Sequence, residues 1–112
     1  MPAPTVNGAA LLQQTGLAAT YNPQAGGSVA VYALWGLETT RPETKKDGDY
    51  AIMSSFATVS SALIGTPNAL DTLTDGIGNV WMVEDFEADP TAGITVLAVR
   101  REVLITRHRR VA

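Results

Sequence analysis

Cysteine is absent from all 112 residues, which excludes a disulfide scaffold, a thiolate metal site and a cysteine nucleophile. The single histidine, His108, sits in a terminal run of arginines where nothing orients an imidazole, so nucleophilic catalysis has no positioned base. Charged residues make up 17% and the net charge is -3, where about a quarter charged is usual. Lysine and arginine are missing altogether between Ala51 and Val99. A strand surface that reads nucleic acid interleaves bases with aromatics, and that pattern is therefore not present. No stretch approaches the ~20 apolar residues of a membrane span, and the first residues do not run basic then apolar as a secretory signal does. The expectation is a chain made and assembled in the cytoplasm, with no membrane partner and no cofactor.

Short alternating apolar runs fill the chain instead, and hydrophobic residues reach 46%. The length suits one domain that buries roughly two-thirds of its unfolded surface. Residues 70–101 read as three short strands joined by turns at Asp75-Gly76 and Gly78-Asn79 and by a polar loop over 87–93 containing Pro90. Pairing Phe86 with Gly93 sets Val83 opposite Val96 and Trp81 opposite Ala98, with Val80, Met82, Leu97 and Val99 on the other face. Both faces are then apolar, and each needs a cover.

Upstream, residues 1–6 read as an extended arm, and Asn7 caps a short helix stopped at Gly16. A strand is expected over 17–21. A stronger one follows over 28–37, with Val29, Val31, Ala33, Trp35 and Leu37 on one face. Residues 38–50 are polar, contain Pro42 and Gly48, and read as a long loop that is disordered in the free monomer. Strands resume over 51–57, and 59–64 fits either a strand extension or a helical turn. Residues 106–112 read as a basic tail. The fold class is therefore all-β: a small antiparallel barrel or sandwich of about six strands, with a short N-terminal helix and one long loop, spanning 1–112 as a single domain.

Little in this layout carries chemistry. Asp71, Asp75 and Gly76 imitate the start of a calcium loop, but Leu73 takes a ligand position and Met82 stands where the bidentate Glu belongs. Glu84, Asp85, Glu87 and Asp89 offer paired carboxylates without a pocket around them. Gly26-Gly27 and Gly76-Ile77-Gly78 have neither the spacing nor the following helix of a phosphate loop. The charge layout is more informative, an acidic stretch over 71–89 against Arg100, Arg101, Arg107, Arg109 and Arg110 at the end. Such asymmetry points to different partners, or to contacts between neighbouring copies.

The order of elements, with the strand over 28–37, the loop over 38–50 and the closing LDTLTDGIGNVWMVEDFEADPTAGITVLAVRR, resembles the small head-tail joining proteins (head-completion or stopper) of long-tailed bacteriophages, the lambda-type connector family. That family closes on a Gly-Asp entry, a Trp-x-Val, a Gly followed by alternating hydrophobics, and an Arg. Here Asn68-Ala69-Leu70-Asp71 replaces the Gly-Asp entry and the N-terminal helix is shorter, so stopper, tail terminator and another neck ring remain alternatives.

The resemblance implies a non-enzymatic virion protein of the neck, a homo-oligomeric (hexameric) ring between the portal or adaptor and the tail terminator or tail tube. Viral DNA would pass through its lumen without sequence-specific binding. Arg41, Glu43, Lys45, Lys46, Asp47 and Asp49 would then belong to a lumen or ring-contact loop. Glu84, Asp85, Glu87 and Asp89 would pair with Arg107, Arg109 and Arg110 between subunits or rings. The runner-up is an OB-like or ligand-binding barrel whose site is the Trp35/Trp81 region.

Overall fold

The computed structural model describes Leu12 and residues 15–108. Seven strands and one short helix follow in order: β1 (Leu17–Asn22), β2 (Val29–Trp35), β3 (Thr39–Lys45), β4 (Gly48–Ser60), α1 (Ser61–Ile64), β5 (Thr72–Thr74), β6 (Val80–Asp89) and β7 (Ile94–Arg107). Six of them run β2-β1-β5-β6-β7-β4, every pair antiparallel, and Leu34↔Thr58 and Trp35↔Ala57 join β2 back to β4. The sheet is thus a closed six-stranded barrel, and β3 is an extra strand on β4.

The sequence alternation decides what fills the barrel. Every second residue points inward: Ala19 and Tyr21, Val31 and Ala33, Ala57 and Val59, Leu73, Trp81 and Val83, Leu97 and Val99. Val29, Trp35, Met53 and Ile64 pack against this cluster from its ends. Leu12, in a helical segment ahead of β1, is buried as well.

The interior is solid side chain rather than pore, as a six-stranded barrel of this size requires. At one end Ser61 and Thr95 join by a 2.7 Å hydroxyl hydrogen bond, and Ser61 N–H donates to Gly93 O at 3.0 Å.

Strands β4 and β7 outrun the barrel. Their pairing continues from Ser60↔Ile94 to Gly48↔Arg107, and β3 pairs along the outlying half of β4, from Thr39↔Ser54 to Lys45↔Gly48. These three strands form a flange beyond the barrel. At its tip the chain turns through Lys46 and Asp47 into Gly48, where a Cβ would lie 2.5 Å from Thr106 O and 2.8 Å from a Leu104 methyl. Any side chain at 48 therefore forces the flange apart.

Three expectations are corrected here. Residues 38–50 are a β-hairpin over most of their length, not a long loop, and they carry Arg41, Glu43 and Lys45 on β3, Lys46 and Asp47 in the turn and Asp49 on β4. They are polar because no residue of β3 is buried, and Pro42 is tolerated because β3 is an edge strand. Amide exchange on the monomer is thus expected to show slow protons across residues 50–54, which lie in the central strand of the flange. Exchange at the unprotected rate there would contradict the hairpin.

The second correction is register. Strand β6 runs on to Asp89, so the turn is only residues 90–93, and Glu84 is an extra residue at a bulge. Val83 pairs with Val99 and Phe86 with Leu97, placing Leu97 and Val99 inside with Trp81. Likewise Thr106 and Arg107, expected in a tail, end β7, while Arg109 and Arg110 lie outside the described residues.

Candidate functional site

Three polar constructions stand out on this frame, and the most deeply buried is Asp71. It sits between α1 and β5 at 2% exposure. The residue before it, Leu70, has a φ of 75°, a left-handed turn conformation that a branched side chain adopts only under constraint. The Asp71 carboxylate accepts hydrogen bonds from the Tyr21 hydroxyl, from Gln24 N–H at 2.9 Å and from Asn68 N–H at 2.9 Å. Burial alone would raise its pKa, but these three donors outweigh it and hold the carboxyl below its ordinary range. The Tyr21 hydroxyl is pushed well above its ordinary value by burial and by the bond to Asp71. With every donor pointing at it, Asp71 is a lock on three chain segments and not a free acid or base.

Asp75 is a second lock, in the turn between β5 and β6. Its Oδ1 accepts from Ile77 N–H (3.1 Å) and Asn79 N–H (2.9 Å), and its Oδ2 from Trp81 Nε1 (3.2 Å). Burial again raises its pKa, and these bonds bring it below the usual carboxylate range. The apparent calcium-loop spacing is thereby explained as turn chemistry. Among the described residues no three His, Asp or Glu side chains gather as a metal site.

Beside that turn the barrel end opens into a cleft of about 480 Å³ whose walls include Leu17, Trp35, Ser55, Ile77 and Trp81. The two indole rings lie 5.5 Å apart at 46°, and the Arg101 guanidinium stands 5.5 Å from the Trp81 ring. This is where the runner-up reading placed a ligand.

The third construction is an ion-pair lattice on the outer face. Arg100 bonds Glu102 at 2.8 Å and lies 3.5 Å from Glu84 and 3.7 Å from Glu43, while Lys45 Nζ bonds Glu102 at 2.7 Å. Side chains of β3 and β7 thus meet across the intervening β4, and Glu84 of the neighbouring β6 joins them. The Lys45–Glu102 hydrogen bond is the main cause that raises the Lys45 pKa and lowers that of Glu102.

At the flange tip Tyr50 donates to Asp47 at 2.7 Å, which lowers the Asp47 pKa and raises that of Tyr50. His108 N–H donates to Asp47 O at 2.9 Å, and its Nε2 hydrogen-bonds Asp49 Oδ1 at 3.1 Å. His108 is therefore seated on the hairpin, a correction to its place in a loose tail.

The structure accordingly divides the candidate residues. Glu43, Lys45 and Glu84 join one lattice, and Asp47 and Asp49 join His108 at the tip. Asp85, Glu87 and Asp89 stay exposed on β6 without an ion pair among the described residues, as do Arg41 and Lys46 on the flange. Within one chain these acids do not reach Arg107.

Sequence reasoning missed Asp71 as a lock. The signal was an acid directly before a strand of buried residues, where only a satisfied carboxylate is tolerated. No helix of the described residues is long and apolar enough to cross a membrane. Neither a protein-family model, a curated protein nor a solved structure matches this chain.

Proposed function

We propose that this protein is a structural subunit of a bacteriophage neck, forming a ring that joins the DNA-filled head to the tail. The observation that carries the reading is the outer surface. Leu37 and Ile77 are 85% and 86% exposed, and Leu17, Leu34, Phe56, Val80 and Met82 are also open to solvent. So much bare apolar surface on a small chain marks contact with other protein. Permanent subunit interfaces are large and more apolar than transient ones.

The barrel interior is filled, so any channel for DNA lies between copies. Its wall need not bind DNA, and strands with no Lys or Arg from residue 51 to 99 suit that role. Tail terminator and other neck rings fit the same surface. A ligand-binding barrel is the second reading, favoured by the Trp35/Trp81 cleft, and its signature is a saturable change of indole fluorescence with a small apolar ligand.

The test is assembly. The purified chain, added to DNA-filled heads and free tails made without it, is expected to restore joined particles and to appear as rings by negative stain. A chain that stays monomeric at every concentration and leaves heads and tails unjoined overturns the reading. Replacing Arg107, Arg109 and Arg110 with Ala is expected to leave the melting temperature nearly unchanged while joining becomes salt-sensitive or fails, because exposed charges act through repetition around a ring. Joining equal to the parent at every salt concentration makes those arginines passive.

A further inference from the structure

We infer that neighbouring copies meet edge to edge, the β3 strand of one lying antiparallel to residues 84–89 of β6 in the next. The inference rests on the ring reading above and assigns its contact surface.

Among the described residues two sheet edges are left open. Strand β5 covers β6 only from Val80 to Met82, so its remaining length has β7 on one side and no strand on the other. Strand β3 has β4 on one side only. Open edges are the default surfaces for joining another chain. These two lie on opposite sides of the ribbon β6-β7-β4-β3, in which every neighbour is antiparallel. Strand β3 therefore runs opposite to β6, and a copy related by rotation about an axis near the strand direction presents its β6 antiparallel to β3. That is a head-to-tail contact, the kind that closes into a ring when the rotation between copies divides a full turn. The edges are staggered along the ribbon, so the copies tilt, as strands tilt in any closed sheet.

Charge selects this pairing over its alternatives. The β6 edge carries Asp85, Glu87 and Asp89, all exposed and without an ion pair among the described residues. The β3 edge and its turn carry Arg41 and Lys46, exposed cations that likewise make none. Arg41 lies level with Ile52 and Asp85 level with Phe56, and strands β7 and β4 stand between the two edges, so these charges do not pair with one another within a chain. Pairing two β6 edges about a two-fold axis would set acids against acids.

Outward apolar groups are at hand on the same side, where Phe56, Ala98 and Asp85 form one row across β4, β7 and β6, beside Val96, Phe86 and Glu87 around a hollow of about 250 Å³. Pro42 offers no N–H, and Asp85 Oδ1 already accepts the Phe86 N–H at 2.8 Å. The seam is thus a side-chain contact more than a hydrogen-bond ladder.

The absence of native cysteine gives a clean test. Thr40→Cys and Ala88→Cys, which face each other when Arg41 lies opposite Glu87, are placed together in one chain, both positions being exposed and uncharged. The assembled protein is treated with a short bismaleimide cross-linker. A ladder of covalent oligomers beyond the dimer is the expected result, with neither single variant cross-linking. Arg41→Glu or Glu87→Arg alone should each weaken the ladder up to about fivefold, and the two together should restore it.

A product that stops at the dimer means two-fold pairing and overturns both the seam and the ring. Rings that sediment normally but give no ladder overturn the seam and leave the ring reading intact. A chain that stays monomeric and uncross-linked overturns both.

Discussion

Replacing Asp71 with Ala is expected to destabilise the fold by about 3–5 kcal/mol, read as a lower denaturant midpoint, because it strands the Tyr21 hydroxyl and two backbone N–H groups in a buried site. A small domain has only ~5–15 kcal/mol of stability, so much of it goes with this one carboxylate. Tyr21→Phe removes one donor and leaves the other two, and is expected to cost about 1.5–3 kcal/mol. The same pair shapes the pH dependence on both sides. The folded Asp71 pKa lies below its unfolded value near ~3.9, so its stabilisation is complete above that pH and is lost as pH falls through the folded value. The folded Tyr21 pKa lies above its unfolded value near ~10, so that contribution is present below ~10 and is lost as pH rises past it. A stability profile of Asp71→Ala that keeps the parent's acid limb would show that the carboxylate does not carry it.

Trp81→Ala is expected to cost a similar ~3–5 kcal/mol and to give protein that aggregates or fails to fold at 37 °C. Its indole is buried among core residues of five other strands, packs on Trp35, lies under Arg101 and donates to Asp75. Removing it takes away a large core group and one of the three donors on Asp75 at once. Trp81→Phe keeps most of the packing and loses the N–H, and is expected to fold with a smaller loss. A Trp81→Ala protein that melts like the parent yet no longer quenches with a small apolar ligand would move the second reading ahead of the first.

The barrel strands were readable because each has one dry face. Val29, Val31, Ala33 and Trp35 alternate as a half-buried strand must, and the same alternation marks Trp81 and Val83. Strand β3 was not readable, because nothing on it faces a core and alternation carries no signal in water. Thr39, Thr40 and Thr44 favour a strand, and Lys46-Asp47-Gly48 a turn, but the charges and Pro42 spoke louder for a loop. The β6–β7 register failed for a related reason. Residues 84–89 continue β6 beyond the end of β5 with four acidic side chains among them, and the bulge at Glu84 shifts the pairing by one, which no count of residues reveals. The ion-pair lattice joins residues far apart in the chain across β4, so its members were visible one by one while their meeting was not.

The long β4–β7 ribbon also fixes how the molecule bears load. Tension applied between the flange tip and the opposite barrel end lies along both strands, so the hydrogen bonds from Ser60↔Ile94 to Gly48↔Arg107 are sheared together and not unzipped one at a time. Strand β3, held on one edge only, peels from its end under a far smaller pull. The protein is therefore stiff along its axis and compliant at its rim, and forced extension should lift β3 first and rupture the β4–β7 pair last.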